Sequence, residues 1–169
     1  MKKITLSLGL AVGIIVSGFA QSTYKSAIGG RLSSGYFDLF SASYKIFIGD
    51  SPEALEFNVG FKPYNLAYSW VNFSAAVSYQ YHFDIQPAPG LKWFIGGGLQ
   101  AYNSFSGNGA YSGFGLSIFP TGGLDYKFSE IPLNLSLDFR PTIQLIKPYD
   151  YYDNFRFAGF GLSARYTLN

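Results

Sequence analysis

From Leu133 to Ile146 the chain alternates without a break. Leu133, Leu135, Leu137, Phe139, Pro141, Ile143 and Leu145 fall on one face, and Asn134, Ser136, Asp138, Arg140, Thr142 and Gln144 on the other. Successive side chains of a β-strand point to opposite sides, so this is a strand with one apolar and one polar face. The same period of two runs through eight segments bounded by turn residues: 24–33, 36–48, 54–63, 73–85, 91–102, 116–128, 133–146 and 156–168. Phe40, Ala42, Tyr44, Ile46 and Ile48 make one apolar face, and Phe73, Ala75, Val77, Tyr79, Tyr81 and Phe83 another. No segment has the period of an amphipathic helix.

The connections alternate in length. Segments 49–52, 86–90 and 129–132 are tight turns, whereas 64–72, 103–115 and 147–155 are longer and rich in Tyr, Asn, Ser and Gly. Ser34-Gly35 is the exception, a short connection on the long-loop side. An even strand count with short turns on one side and long loops on the other is the pattern of an up-and-down transmembrane barrel, with the long loops outside the cell. Centring the tight turns fixes the register. Across 49–52 paired residue numbers sum to 101, placing Tyr44 opposite Phe57 and Lys45 opposite Glu56. Across 86–90 the sum is 176, with Phe83 opposite Trp93 and Asp84 opposite Lys92. Across 129–132 it is 261, which sets Pro120 against Pro141 and Leu124 against Leu137. A bulge or unpaired carbonyl is expected where the two prolines meet their outer neighbours, because neither can donate to the ladder.

The polar faces decide which solvent each side meets. They collect Lys25, Arg31, Lys45, Glu56, Lys62, Gln80, His82, Asp84, Lys92, Gln100, Asp125, Lys127, Asp138, Arg140 and Arg165. A soluble barrel would turn these few charges to water and line a ligand cavity with the apolar face, giving aromatics no reason to gather at strand ends. Tyr24, Tyr64, Trp70, Phe83, Trp93, Tyr102, Phe128, Tyr149, Phe155 and Tyr166 lie near predicted strand ends, as the aromatic girdles of a membrane barrel do. The expectation is therefore an all-β, eight-stranded antiparallel barrel. Its apolar face meets lipid, and a lumen polar network is built on Lys45, Glu56, His82, Asp84, Lys92, Asp125, Lys127, Asp138, Arg140 and Arg165.

Composition agrees with that reading. Aromatic residues make up 20% and charged residues 13% of the chain, about half the charge usual for a soluble domain. The start, Met1-Lys2-Lys3 followed by the apolar stretch 4–16 and small residues up to Ala20, reads as a secretory signal peptide over 1–20, leaving the barrel domain over 21–169. The apolar stretch is too short to span a bilayer as a helix. Without Lys2 and Lys3, the 12 basic residues fall to ten against ten acidic ones, so no nucleic acid partner is expected. The sequence has no Cys, and with it neither a disulfide framework nor a lipoprotein anchor.

The stretches "GLKWFIGGGLQAY", "FPTGGLDYKFSEIPLNLSLDFRPTIQL" and "FGLSARYTL" resemble the small eight-stranded outer-membrane β-barrel family of Gram-negative bacteria, similar in architecture to the OmpA transmembrane domain. The resemblance implies export, an integral place in the outer membrane, contact with its lipids and lipopolysaccharide, and delivery by the barrel insertion machinery. It also implies a monomer. Members of that family usually end on an aromatic residue; here the chain ends Tyr166-Thr167-Leu168-Asn169. Structural, adhesive and enzymatic members share the fold, so the resemblance specifies architecture more than activity.

Candidate chemistry is sparse. His82, the single His, shares its face with Gln80 and Asp84, but it falls near a short turn and lacks a Ser/His/Asp spacing. A hydrogen-bonded lumen residue is the expectation, and lipid A acyl transfer or deacylation is the alternative. The Tyr-rich run 147–153 reads as interface anchors, with a ligand-contacting loop as the alternative. Asp150 and Asp153 supply too few oxygens for calcium. The run Gly96-Gly97-Gly98 lies in mid-strand with no following helix, so it makes room for bulky lumen neighbours or bends the strand rather than cradling phosphate. Asn72-Phe73-Ser74 fits a glycosylation sequon only by chance. Eight strands enclose a space that side chains fill, which argues against a diffusion channel. No cofactor, metal site or catalytic group is expected. The leading function is a non-catalytic, porin-like integral outer-membrane barrel of the cell envelope with a structural, envelope-integrity or surface-interaction role and a plugged polar lumen; a secreted ligand-binding barrel is the remaining alternative.

Overall fold

The alternating segments fold as strands in a computed structural model that describes residues 24–35, 37–64, 70–107, 112–149, 152–157 and 159–168. The expected signal segment 1–20 lies outside the described residues. The strands are β1 (Ser26–Ser33), β2 (Phe40–Phe47), β3 (Glu53–Tyr64), β4 (Trp70–Asp84), β5 (Leu91–Ser106), β6 (Gly113–Lys127), β7 (Leu133–Phe139), β8 (Thr142–Ile146), β9 (Phe155–Arg156) and β10 (Phe160–Leu168). β7 and β8 are successive pieces of one stave, both paired with β6. β9 and β10 make the next stave, with β9 paired to β8 and β10 to β7 and β1. Every pairing is antiparallel, and the β5–β6 pairing closes the ring. The result is a closed eight-stave barrel in which each stave bonds to both neighbours, so the wall has no continuous free edge.

The turn-derived registers hold. Tyr44 pairs with Phe57 and Lys45 with Glu56, Phe83 with Trp93 and Asp84 with Lys92, and Leu124 with Leu137. Gly49 and Gly90 reach positive φ values of 62° and 81° in two of the tight turns, where a side chain would be strained. The prolines behave unequally. Gly122↔Phe139 and Ile118↔Ile143 keep the sum of 261 on both sides of Pro120 and Pro141, so the two prolines stand opposite each other. Against β5 the ladder continues through Gly97↔Pro120 without a slip. Beside Pro141 it does not: the sum changes from 299 at Phe139↔Phe160 to 298 at Thr142↔Arg156, a bulge where the missing donor is felt. A second slip, between Leu116 and Ser117, was not signalled by the sequence.

The long-loop end departs most from the sequence reading. β4 starts at Trp70, β5 runs to Ser106 and β6 starts at Gly113, so polar residues assigned to loops extend the ladder. The second stave starts later than expected, at Phe40, because Phe37 and Asp38 turn into the barrel instead of continuing the strand.

Alternation sorts the residues cleanly between outside and inside, as in β10, where Phe160, Leu162, Ala164, Tyr166 and Leu168 are exposed while the residues between them are buried. On the outward face of the described strands Glu53 is the single charged residue. Large aromatic residues interrupt the polar inner face: Phe94 and Phe119 sit on it, almost fully buried. Glycines make room for them. A Cβ on Gly98 would lie 2.6 Å from Phe119 Cζ, and one on Gly123 would lie 2.9 Å from Phe94 Cζ. Within the run Gly96-Gly97-Gly98 it is Gly98 that lies beneath a ring, and a Cβ on Gly96 or Gly98 would also come within 1.9 or 2.3 Å of a β4 carbonyl oxygen, that of Tyr79 or Val77.

Candidate functional site

The barrel interior holds the chain's concentration of polar chemistry. Inward positions carry Arg31, Lys45, Arg140 and Arg165 against Asp38, Glu56, Asp125 and Asp138, all buried, so four cations meet four carboxylates. Burying a charge is tolerable only when it is paired and hydrogen-bonded, and the interior satisfies this by linking the charges into one network.

Glu56, on β3, is the hub. Its Oε1 accepts from Arg140 Nη2 at 2.7 Å and from Asn58 Nδ2 at 2.9 Å, and Oε2 accepts from Gln80 Nε2 at 2.8 Å. Arg165 Nη2 is 3.0 Å from Oε1 and Lys45 Nζ 3.7 Å from Oε2, both ion-pair contacts. Arg165 also donates to Ser43 Oγ at 2.8 Å, Ser136 Oγ at 2.8 Å and Asn134 Oδ1 at 3.2 Å. Toward the long loops, Asp138 takes Arg31 in a two-pronged contact at 2.7 and 3.1 Å, the planar fork that guanidinium offers a carboxylate. Arg140 Nε approaches Asp138 at 2.8 Å with its N–H aimed off the oxygen. Arg31 reaches on to Asp38 at 2.9 Å. Toward the short turns, Lys45 Nζ donates to Asp125 at 2.5 Å, and Asn134 Nδ2 and Tyr24 Oη donate to the same carboxylate.

His82 closes that lower end. It is buried between the rings of Phe47 and Phe94, at 4.9 and 5.2 Å, with Nδ1 3.3 Å from the Pro52 carbonyl and Nε2 3.9 Å from Asp125. Lys45 lies 5.0 Å from the Phe94 ring centroid, and the Arg140 guanidinium 5.5 Å from that of Phe119, so the two inward rings cover cations of the network. At the long-loop end Phe37 stacks on Tyr102 and packs with Tyr152, with Tyr149 against the cluster. Between this aromatic lid and the ion network lies a cavity of about 30 Å³, room for about one water. Gln144 lines it with an Nε2 that has no hydrogen-bond partner among the described residues.

The sequence-selected polar residues therefore divide. Lys45, Glu56, His82, Asp125, Asp138, Arg140 and Arg165 meet in the interior. Asp84 and Lys92 do pair, at 3.0 Å, but at the exposed short-turn rim rather than in the lumen. Lys127 also lies at that rim, where Nζ donates to the turn carbonyls of Phe128 and Ile131.

Among the girdle positions, Phe83 and Trp93 stack at 4.2 Å on the outer wall, Tyr166 is exposed, and Phe128 meets Tyr126 edge-on. Three assignments need correction. Tyr24 turns inward to Asp125 because the chain leaves the alternating pattern before β1 begins. Tyr102 points inward, donating to Gln144 Oε1, because β5 continues past it and an even-numbered position on that strand faces the lumen. Tyr149 packs on the interior lid instead of facing lipid. Tyr64 and Trp70 pair at the end of the β3–β4 ladder, and their side chains lie outside the described residues.

Asp38, Phe37, Phe94 and Phe119 were missed as interior residues. For the two inward rings a signal existed: each shares its polar face with glycines, Gly96 and Gly98 beside Phe94, and Gly123 beside Phe119.

No family model and no curated protein matches this chain. Among solved structures it is similar to Neisserial surface protein A (NspA), with a TM-score of 0.54 and 19% identity over 85% of this chain and 93% of that one. The likeness is one of fold: an all-β, closed antiparallel eight-stave barrel.

Proposed function

We propose that this chain is an integral outer-membrane barrel, non-catalytic, with a sealed polar interior and a structural or surface-interaction role in the cell envelope. The observation that carries the reading is the inversion of a soluble protein's arrangement. Buried positions hold four cations and four carboxylates, while Ile28, Val59, Phe73, Ile95, Leu99, Leu137 and Leu162 stand about half exposed or more on the outside. In water such a surface is an aggregation liability; in hydrocarbon it is the required one.

The similarity to a protein named as a surface protein supports placing the long loops outside the cell. His82 sits 3% exposed between two rings, where no substrate carbonyl can reach it, which supports the non-catalytic reading over lipid A modification. Export by the N-terminal signal, insertion as a monomer by the barrel insertion machinery, and contact with membrane lipids and lipopolysaccharide complete the proposal.

Fractionation tests it. The protein is expected to stay with membranes through alkaline and urea washes and to leave them only in detergent. Release by either wash would favour the secreted, soluble barrel.

A further inference from the structure

On the outward face of the described strands the one charged residue is Glu53, the first residue of β3, just past the tight turn 49–52. It does not stand alone. Tyr79 Oη donates to Glu53 Oε1 at 2.8 Å, and Tyr81 is the residue directly opposite Glu53 on β4. Both phenol rings are open to the surroundings, 42% and 38% exposed. Among the described residues no Lys or Arg forms an ion pair with Glu53, and its Oε2 has no partner. Every other carboxylate named in the interior has a cation beside it. Here a carboxylate and two aromatic rings are offered to whatever lies outside the wall.

The level of the patch says what that is. Neighbouring outward positions toward the short turns hold Phe83 and Trp93, stacked on one another, and Tyr126 and Tyr166 lie near the short-turn ends of their strands. Tyr and Trp collect where one end of a ring is in hydrocarbon and the other among headgroups. Glu53 therefore sits at the headgroup level of the leaflet on the short-turn side. A carboxylate oxygen flanked by exposed phenol rings is the chemistry that recognises a protonated amine, by a charge-assisted hydrogen bond and by cation–π contact.

We propose that Glu53, Tyr79 and Tyr81 form a lipid-binding site on the outer wall of the barrel, selective for a phospholipid with a primary ammonium headgroup. The inference rests on the membrane reading and goes beyond it by naming a headgroup. A quaternary ammonium can use the rings but has no N–H for Glu53, and an anionic headgroup is repelled by it.

The test uses the purified full chain reconstituted in vesicles made from lipids of identical acyl chains with ethanolamine, choline or glycerol headgroups. Protease protection and heat-modifiable migration report insertion, and native mass spectrometry reports lipid retained per protein. Wild type is expected to retain one ethanolamine lipid in preference to the other two. Glu53→Gln, inserted equally well, is expected to lose that preference about tenfold, the scale of one charged hydrogen bond. Tyr79→Phe keeps the ring and the carboxylate and is expected to retain part of it. Equal retention of the three lipids by wild type, or an unchanged preference in Glu53→Gln, would overturn the site while leaving the membrane reading intact. Failure of wild type to insert would remove both.

Discussion

Replacing Glu56 by Gln keeps the volume and removes one charge from the centre of the barrel. The structure gives the size of the effect. Glu56 is 1% exposed and is in contact with three cations: Arg140 at 2.7 Å, Arg165 at 3.0 Å and Lys45 at 3.7 Å. Arg140 retains Asp138, and Lys45 retains Asp125 at 2.5 Å. Among the described residues, the hydrogen-bond partners that Arg165 retains are neutral: Ser43, Asn134 and Ser136. The substitution thus leaves four buried cations facing three carboxylates, with Arg165 the one that loses its direct ion pair and keeps only the longer-range field of Asp125. Removing one partner of a buried pair costs about 3–5 kcal/mol. The surviving partners of Arg140 and Lys45 put the expectation near ~3 kcal/mol, or roughly a hundredfold in the folding equilibrium constant. Adding Arg165→Gln restores charge balance, so the double variant is expected to be more stable than Glu56→Gln alone. The assay is reversible urea unfolding of the barrel in lipid vesicles, followed by tryptophan emission and by gel migration. A loss below ~1 kcal/mol for Glu56→Gln, or a double variant that loses the sum of the two singles, would refute the hub: the residues would then not be coupled.

Three further outcomes follow from the same geometry. Gly98→Ala places a methyl 2.3 Å from the Val77 carbonyl oxygen and 2.6 Å from the Phe119 ring and is expected to cost about 1–3 kcal/mol in the same unfolding assay, with the part due to the ring recovered on adding Phe119→Leu; unchanged stability would contradict the packing role of Gly98. On the proposal that the lumen is plugged, with the Phe37–Tyr102 lid toward one end and buried His82 toward the other, the purified protein is expected to give no large, steady conductance in planar bilayers, and an open channel of that kind would contradict it. Single cysteines introduced at Asp50 or Glu130 are expected to resist a membrane-impermeant label on intact cells while one at Asn154 reacts; the reverse pattern would invert the barrel in the membrane.

Alternation and turn chemistry by themselves determined the local geometry of this protein. Period two decides which face each residue takes, and a tight turn of known centre fixes which residues oppose each other, so Lys45–Glu56 and the opposed prolines were legible from the chain alone. Pro141 also announced a broken ladder, though not that Pro120 would be spared. What sequence could not supply is contact across the lumen. Glu56 meets Arg140 and Arg165, 84 and 109 positions away, only because closing the ring brings β10 beside β1 with one particular stagger, and that stagger sets which inward residues share a level. The ends of strands escaped for a related reason. Outside the ladder no pleat dictates direction, so Tyr24, Phe37, Asp38 and Tyr149 went where interior space and countercharge were available, and Tyr102 followed a strand longer than its polar sequence suggested. Faces are local and follow from the chain; partners across a closed barrel are global and follow from its closure.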